Sequence, residues 1–255
     1  MKLVCIGSSS VGNAYALDAG GEILLLEAGI RHTLVSKAIG FRDDKVVGCL
    51  VSHHHIDHAK YVEEYSRRGV KIICNQDVAN RKKLEMGRRH IFQKPLDTFS
   101  VGSFRVCPIP LHHFNNDGSE CPCHGFLIHH ESMGNLFFAS DTYKLDFYLS
   151  GVDHWLIEAN YDDRILKANV EDGKIDRHQA NRLMLSHMSL DNTVRFLRDC
   201  SVGCGTSATK SIILCHLSER NSDPAQFKSA VESATGVPTY IACKDLVVEL
   251  NKEVI

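Results

Sequence analysis

The chain has 255 residues, 44% of them hydrophobic and 24% charged, with a net charge of -2 and a pI near 6.7. That balance excludes a global basic field that would hold nucleic acid indiscriminately, and no apolar run of about 18 residues is there to span a membrane. Length and apolar fraction suffice for one large core, so a single domain over residues 1–255 is expected.

"MKLVCIGSSS" lacks the apolar h-region of a secretory signal. Ten cysteines in such a chain point to free thiols in a reducing compartment, the cytoplasm. Short apolar runs then predict strands at Leu3–Ile6, Ala14–Asp18, Ile23–Glu27 and Val46–Ser52. A helix over Ala59–Arg68, a strand over Val70–Asn75 and a helix over Asp77–Met86 follow. Next come strands at Phe104–Ile109, Gly125–His129, Leu136–Ser140 and His154–Glu158. Helices are expected over Ile165–Glu171, Arg177–Leu185 and Leu190–Asp199, the last capped by Ser189 or Asp191. A strand at Ser211–Cys215, a helix over Ala225–Ala234 and a strand at Leu246–Leu250 complete the chain. Asp223 is the expected N-cap of that last helix, with Pro224 at its first position. This interleaving describes a mixed α/β fold, its late helices covering the outer faces of two packed sheets.

The densest chemistry is "VSHHHIDHAK", residues 51–60. His53 and His55 follow an apolar strand at spacing two, so an extended backbone points both to one side. Asp57 and His58 form a second group where the helix begins, and His54 points away as the surplus residue. Imidazole and carboxylate suit zinc, manganese or iron. So many ligand types exceed the needs of one tetrahedral ion, and two adjacent metals explain them. Three later strand ends supply further donors: His112 and His113, then Asp141, whose two oxygens can bridge two cations, then His216. Cys121 with Cys123, and Cys200 with Cys204, are not spaced like zinc-finger pairs. Most cysteines read as small buried hydrophobes, with Cys121 and Cys123 as exceptions.

His53-His54-His55-Ile56-Asp57-His58 matches an HxHxDH motif, with His, Asp and His downstream in order. On these residues the chain resembles the metallo-β-lactamase superfamily over almost its whole length. "GSSSVGN" (Gly7–Asn13), "LIEANYD" (Leu156–Asp162), "SHMSLDN" (Ser186–Asn192) and "HLSERNS" (His216–Ser222) resemble the YycJ/WalJ-type branch and its phage-encoded members. The likeness to tRNase Z is more distant, and the long insert by which tRNase Z grips transfer RNA is not recognisable. The resemblance implies an αββα sandwich of two mixed sheets flanked by helices. It implies His53, His55 and His113 on one metal, Asp57, His58 and His216 on the other, and Asp141 bridging. His113 is preferred to His112 because it fits the family's P-x-x-H step from Pro110. Glu27 stands where many relatives carry aspartate, which alters a supporting hydrogen bond. Phe114 follows His113 where close relatives often have aspartate, which alters nearby substrate contacts.

Two divalent ions, zinc or manganese, activate a bridging water for attack on phosphorus or a carbonyl carbon. Asp57 could also orient that nucleophile. The resemblance places His187 near the metals, where it could contact a phosphate oxygen or protonate a leaving alkoxide. Asn192 and Asn221 are candidate phosphate contacts, and Glu158 a candidate for fixing a ligand histidine. Ser8, Ser9 and Ser10 sit in a glycine-flanked turn without a local base and shape the backbone. The expected activity is phosphodiester hydrolysis, as a DNA exonuclease-like nuclease. Alternatives are a cyclic-nucleotide phosphodiesterase, with a closed pocket completed by a homodimer partner, a hydrolase of carbonyl substrates, or a non-enzymatic metal-binding module. Arg81, Lys82, Lys83, Arg88, Arg89 and His90 could contact nucleic-acid phosphates or form a solvated helix face.

Overall fold

The computed structural model describes residues 1–84, 90–92, 94–115, 117–202 and 209–251. Met86, Arg88, Arg89 and Cys204 lie outside the described residues. In chain order the first half contains β1 (Lys2–Gly7), β2 (Ala14–Asp18), β3 (Ile23–Leu26), α1 (His32–Ala38), β4 (Val46–Leu50), α2 (Ile56–Ala59), α3 (Val62–Arg67), β5 (Ile72–Cys74), α4 (Gln76–Arg81) and β6 (His90–Phe92). The second half contains β7 (Phe99–Val101), β8 (Phe104–Leu111), β9 (Cys123–His130), β10 (Gly134–Ala139), β11 (His154–Glu158), α5 (Asp163–Glu171), α6 (Arg177–Ser186), α7 (Leu190–Val202), β12 (Ser211–Cys215), α8 (Pro224–Thr235), β13 (Thr239–Ile241) and β14 (Val247–Glu249).

Two seven-stranded mixed sheets result, in the orders β14-β1-β2-β3-β4-β5-β6 and β13-β12-β11-β10-β9-β8-β7. Each joins antiparallel strands on one side to parallel strands on the other, β3 with β4 in the first and β10 with β11 in the second. Their strands are apolar on both faces because each sheet is covered twice. In β3, Leu24 and Leu26 face the other sheet, while Ile23 and Leu25 face α1, α3 and α4. In β10, Leu136 and Phe138 enter the inter-sheet core, while Phe137 and Ala139 pack towards Phe196 of α7 and Phe227 of α8. The helices therefore cover the outer faces, as expected. Asp223 caps α8 with Pro224 in its first turn, and Ser189 Oγ accepts from Asn192 N at the start of α7. No helix of the described residues is long and apolar enough to cross a membrane.

Two expectations change. The helix expected over Ala59–Arg68 is interrupted between α2 and α3. The Asp57 carbonyl accepts from Asn13 N at 2.8 Å, and Tyr61 N donates to Ala28 O at 2.9 Å, so the intrahelical bond between them is replaced by ties to neighbouring loops. The helix expected from Asp77 ends at Arg81. Helix α1 and strands β7 and β13 had no clear periodic signal. Each is short, and α1 buries His32 and Ser36 beside Val35.

Candidate metal centre

The ends of β3, β4, β8, β10 and β12 converge on one edge of the sandwich. Three residues there take left-handed backbone conformations: Glu27 (φ 66°), Asp141 (φ 56°) and His216 (φ 55°). None is glycine, and strain of this kind, about 1–3 kcal/mol each, clusters where side chains must be aimed. Loop Gly7–Asn13 closes the edge from the first sheet. Ser8 Oγ accepts from His216 N at 2.9 Å and from Tyr15 Oη at 2.8 Å. Ser8 and its neighbours thus shape backbone, as read from their context.

Among the described residues four groups of donor atoms assemble, and two of them carry the seven expected ligands. His53, His55, His113 and Asp141 form one, and Asp57, His58, Asp141 and His216 the other, each with its atoms within 4.8 Å of one another. Asp141 belongs to both. Its Oδ2 stands 3.7 Å from His53 Nε2, 3.8 Å from His113 Nε2 and 3.4 Å from His58 Nε2, and its Oδ1 3.5 Å from His216 Nε2. Asp57 Oδ2 lies 3.2 Å from His58 Nε2 and 3.1 Å from His216 Nε2. A tetrahedral zinc with bonds of about 2.0–2.1 Å sets its ligand atoms about 3.3 Å apart, so the spacing fits. His53 Nε2 is buried without a hydrogen-bond partner, which a bound cation would resolve.

Each inward nitrogen is set by what holds the outward one, the arrangement expected around ligand histidines. His53 Nδ1 meets Ser52 Oγ at 2.9 Å, His55 Nε2 donates to Asn115 Oδ1 at 3.1 Å, and His113 Nδ1 donates to Ser186 O at 3.1 Å. His58 Nδ1 faces Glu27 Oε1 at 3.4 Å, and His216 Nδ1 faces Glu158 Oε1 at 3.5 Å. Glu27 is therefore the supporting residue its position suggested. Glu158 also accepts from His187 Nδ1 at 2.7 Å, and from the backbone of Thr142 and Met188. His187 and Glu158 come within 4.8 Å of Asp141 and His216, but their mutual bond makes them a supporting pair.

Sequence reasoning missed Asn13 as a supporting residue. Its Nδ2 reaches Asp57 Oδ2 at 3.4 Å and His58 Nε2 at 3.2 Å. His112 turns outward to Asp146 at 3.0 Å, and His54 turns to Asp77 at 2.6 Å, so neither enters these two groups, although His54 lies within 4.8 Å of His55 and Cys121. Cys121 and Cys123 are buried, with thiols 3.7 Å from His54 Nδ1 and His53 Nδ1. Asn192 is exposed on α7 and lines a separate depression with Phe196 and Arg195. Asn221 is buried, its amide engaged by Ser218 and Asn169. The structure brings neither asparagine to the donors.

Electrostatics divide the histidines. Burial pushes His53 well down, and His113 down to about 4. Burial also opposes charge on His58 and His216, yet carboxylates prevail. Asp141, Asp57 and Glu27 hold His58 well above its ordinary value, and Asp141, Asp57 and Glu158 raise His216 to about 9. Burial likewise opposes ionisation of Asp57 and Asp141, but the facing imidazoles hold both below the usual carboxylate range.

In the metal-free protein the raised histidines add stability below the ordinary value of 6.5, lost as pH rises through about 9 for His216. His113 acts oppositely and costs stability as pH falls from 6.5 towards about 4. A metal needs neutral imidazole, so loading at pH near 7 is expected to expel protons from His58 and His216. Calorimetry of zinc binding in two buffers of different ionisation enthalpy checks this. Identical heats would contradict it.

A cleft of about 670 Å³ opens over the donors. Ser10, Ile56 and Phe114 line it together with Gln179, Arg182 and Leu183 of α6. Nothing in the sequence had marked α6 as a wall of this cleft.

The family model described as the beta-lactamase superfamily domain matches residues 18–216. No curated protein sequence matches the chain. Among solved structures, the metallo-β-lactamase fold protein YhfI from Bacillus subtilis aligns with a TM-score of 0.73 at 17% identity, covering 97% of this chain and 99% of that one. Zinc-bound PqqB from Methylobacterium extorquens aligns with a TM-score of 0.72 at 13% identity, over 98% and 100% of the two chains. The short form of human tRNase Z aligns with a TM-score of 0.59 at 15% identity, over 98% and 99%.

Proposed function

Because this chain belongs to the β-lactamase superfamily, and its two donor groups share one carboxylate, we propose that it is a dinuclear-metal phosphodiesterase acting on nucleic acid, as an exonuclease-like nuclease. The observation that carries this reading is the grouping of His53, His55 and His113 against Asp57, His58 and His216 around Asp141, beneath a cleft that also presents His187 and Arg182. His53, His55, His113 and Asp141 would hold one zinc or manganese ion, and Asp57, His58, Asp141 and His216 the other. When bound, two such ions lower the pKa of a water between them and offset charge on a phosphate oxygen.

The chain's own residues supply orientation and proton transfer. Asp57 is held ionised and can accept a hydrogen bond that directs the attacking water. Burial opposes charge on His187, but Glu158 beside it raises its pKa above the ordinary histidine value and so favours the protonated form. With Nδ1 engaged there, Nε2 is left to donate to a phosphate oxygen or to the leaving alkoxide. Arg182 adds a fixed positive charge on the wall from which an anion would enter. A diester has two non-bridging oxygens and suits paired cations better than a neutral carbonyl. The tRNase Z likeness supports the same substrate class.

The test is a parallel turnover assay on end-labelled single- and double-stranded DNA, RNA, cyclic mononucleotides and bis(p-nitrophenyl) phosphate, with zinc, manganese or chelator. Metal-dependent shortening of DNA is expected. Turnover confined to cyclic mononucleotides would make the protein a small-nucleotide enzyme. Silence on every diester would sink the phosphodiesterase reading. Within the assay, His187→Gln is expected to lower kcat by about 10²-fold or more while leaving KM and metal content unchanged. Undiminished kcat would remove His187 from proton transfer.

A further inference from the structure

The loop Gly7–Asn13 has two faces. Ser10 lines the cleft over the donors, while Ser9, Val11 and Gly12 line a second depression of about 940 Å³, larger than the cleft. Its apolar lining comprises Ile6 (buried) and Ile30 (half-buried) together with Val11 and Leu34, which are 77% and 54% exposed. Four cations stand around it: Arg31 and Lys37 at α1, Lys60 after α2, and Lys244 in the loop before β14. Among the described residues, only Asp245 supplies a carboxylate to its lining. Arg31 lies 5.6 Å and Lys60 Nζ 5.4 Å from the centre of the Tyr61 ring. Among the described residues, none of the four cations forms an ion pair.

We propose that this groove binds a single strand of nucleic acid running from the cleft across Gly7–Asn13, with phosphates at the cationic rim and bases on the apolar lining. The proposal rests on the phosphodiesterase reading of the cleft and extends it to a binding site away from the donors. The chemistry selects the ligand. An isolated phosphate has no use for the apolar residues, and a membrane surface could reach the exposed Val11 and Leu34 but not the recessed Ile6. A strand repeats an anion and a flat base at every step; the four cations match the first, and Tyr61 with the aliphatic side chains beside it offers a surface for the second. The charge also resolves an imbalance: the net charge is -2, and the cleft itself has one guanidinium on its wall.

The experiment measures binding of a fluorescein-labelled oligothymidylate by anisotropy over a salt series. Wild type is compared with Lys37→Glu/Lys244→Glu, which reverses charge at two of the four cations, and with Lys167→Glu/Lys174→Glu, which makes the same charge change at and just beyond α5. The groove variant is expected to bind at least about tenfold more weakly, with a salt slope lower by about 1.4, two contacts at about 0.7 each. The α5 variant is expected to retain affinity, and all three proteins to keep the same turnover of bis(p-nitrophenyl) phosphate. Undiminished affinity in the groove variant would overturn the proposal. So would an equal loss in the α5 variant, which would show net charge acting without a site. Binding to phosphatidylserine vesicles with no affinity for the strand would overturn it too. Absent turnover of bis(p-nitrophenyl) phosphate in wild type would instead sink the reading of the cleft, and the anisotropy comparison would still decide the groove.

Discussion

Asp141→Ala is expected to cripple hydrolysis while leaving a folded protein. Asp141 is 2% exposed and faces His53, His113, His58 and His216 at once. Loss of a residue that merely supports metal ligands costs about 10–100-fold in metal affinity or activity, and Asp141 is a donor in both groups. Turnover is therefore expected to fall by more than about 10²-fold. Both donor groups lose a member, so occupancy should fall at both sites together. Circular dichroism, metal content and turnover of a chromogenic diester would be measured on the same sample. Turnover within a few-fold of wild type would contradict the shared-carboxylate arrangement, as would loss of one ion with the other intact.

Gly29→Ala is expected to lower activity by about 10²-fold without replacing any donor residue. A Cβ at Gly29 would stand 1.7 Å from the Asp57 carbonyl oxygen and 2.7 Å from Asn13 N. These are backbone atoms and have no rotamer in which to escape. They also belong to the ties that place the histidine loop: Asn13 N to Asp57 O at 2.8 Å, Gly29 N to Asn13 O at 3.0 Å and Ala28 N to His58 O at 2.7 Å. Overpacking of this kind costs about 1–3 kcal/mol in stability. Moving Asp57 and His58 by about 1 Å would cost on the order of 10²-fold in rate. Thermal unfolding and diester turnover read the two effects separately. A variant with wild-type melting temperature and turnover would show that the loops are not locked as described.

Gly29 marks the limit of what the sequence discloses. The histidine spacing was legible because an extended backbone alternates its side chains, which separated His53 and His55 from His54. Strand ends were legible as apolar runs that stop at Asp141 and at His216. The seven donors are distributed over four strand ends, so their order along the chain survives as a motif. Asn13 carries no such signal, since an asparagine before a strand reads as an ordinary turn residue. Its contact with Asp57 and His58 arises only when the first loop folds over the histidine loop. The two asparagines proposed for phosphate, Asn192 and Asn221, were placed by likeness of short segments. One instead starts a helix, and the other is locked in a buried amide network. Helix α6 contributes Gln179 and Arg182 to the cleft through its position, which no local pattern encodes. The break between α2 and α3 has the same origin, because propensity favours a continuous helix and backbone ties from two other loops prevent it.

Native mass spectrometry of the chain loaded with zinc or manganese tests the central claim most directly. Two ions per chain are expected, both removed by chelator and restored together with diester turnover. A single ion, or none, bound to a folded chain with all seven donors intact would contradict a dinuclear centre built around Asp141.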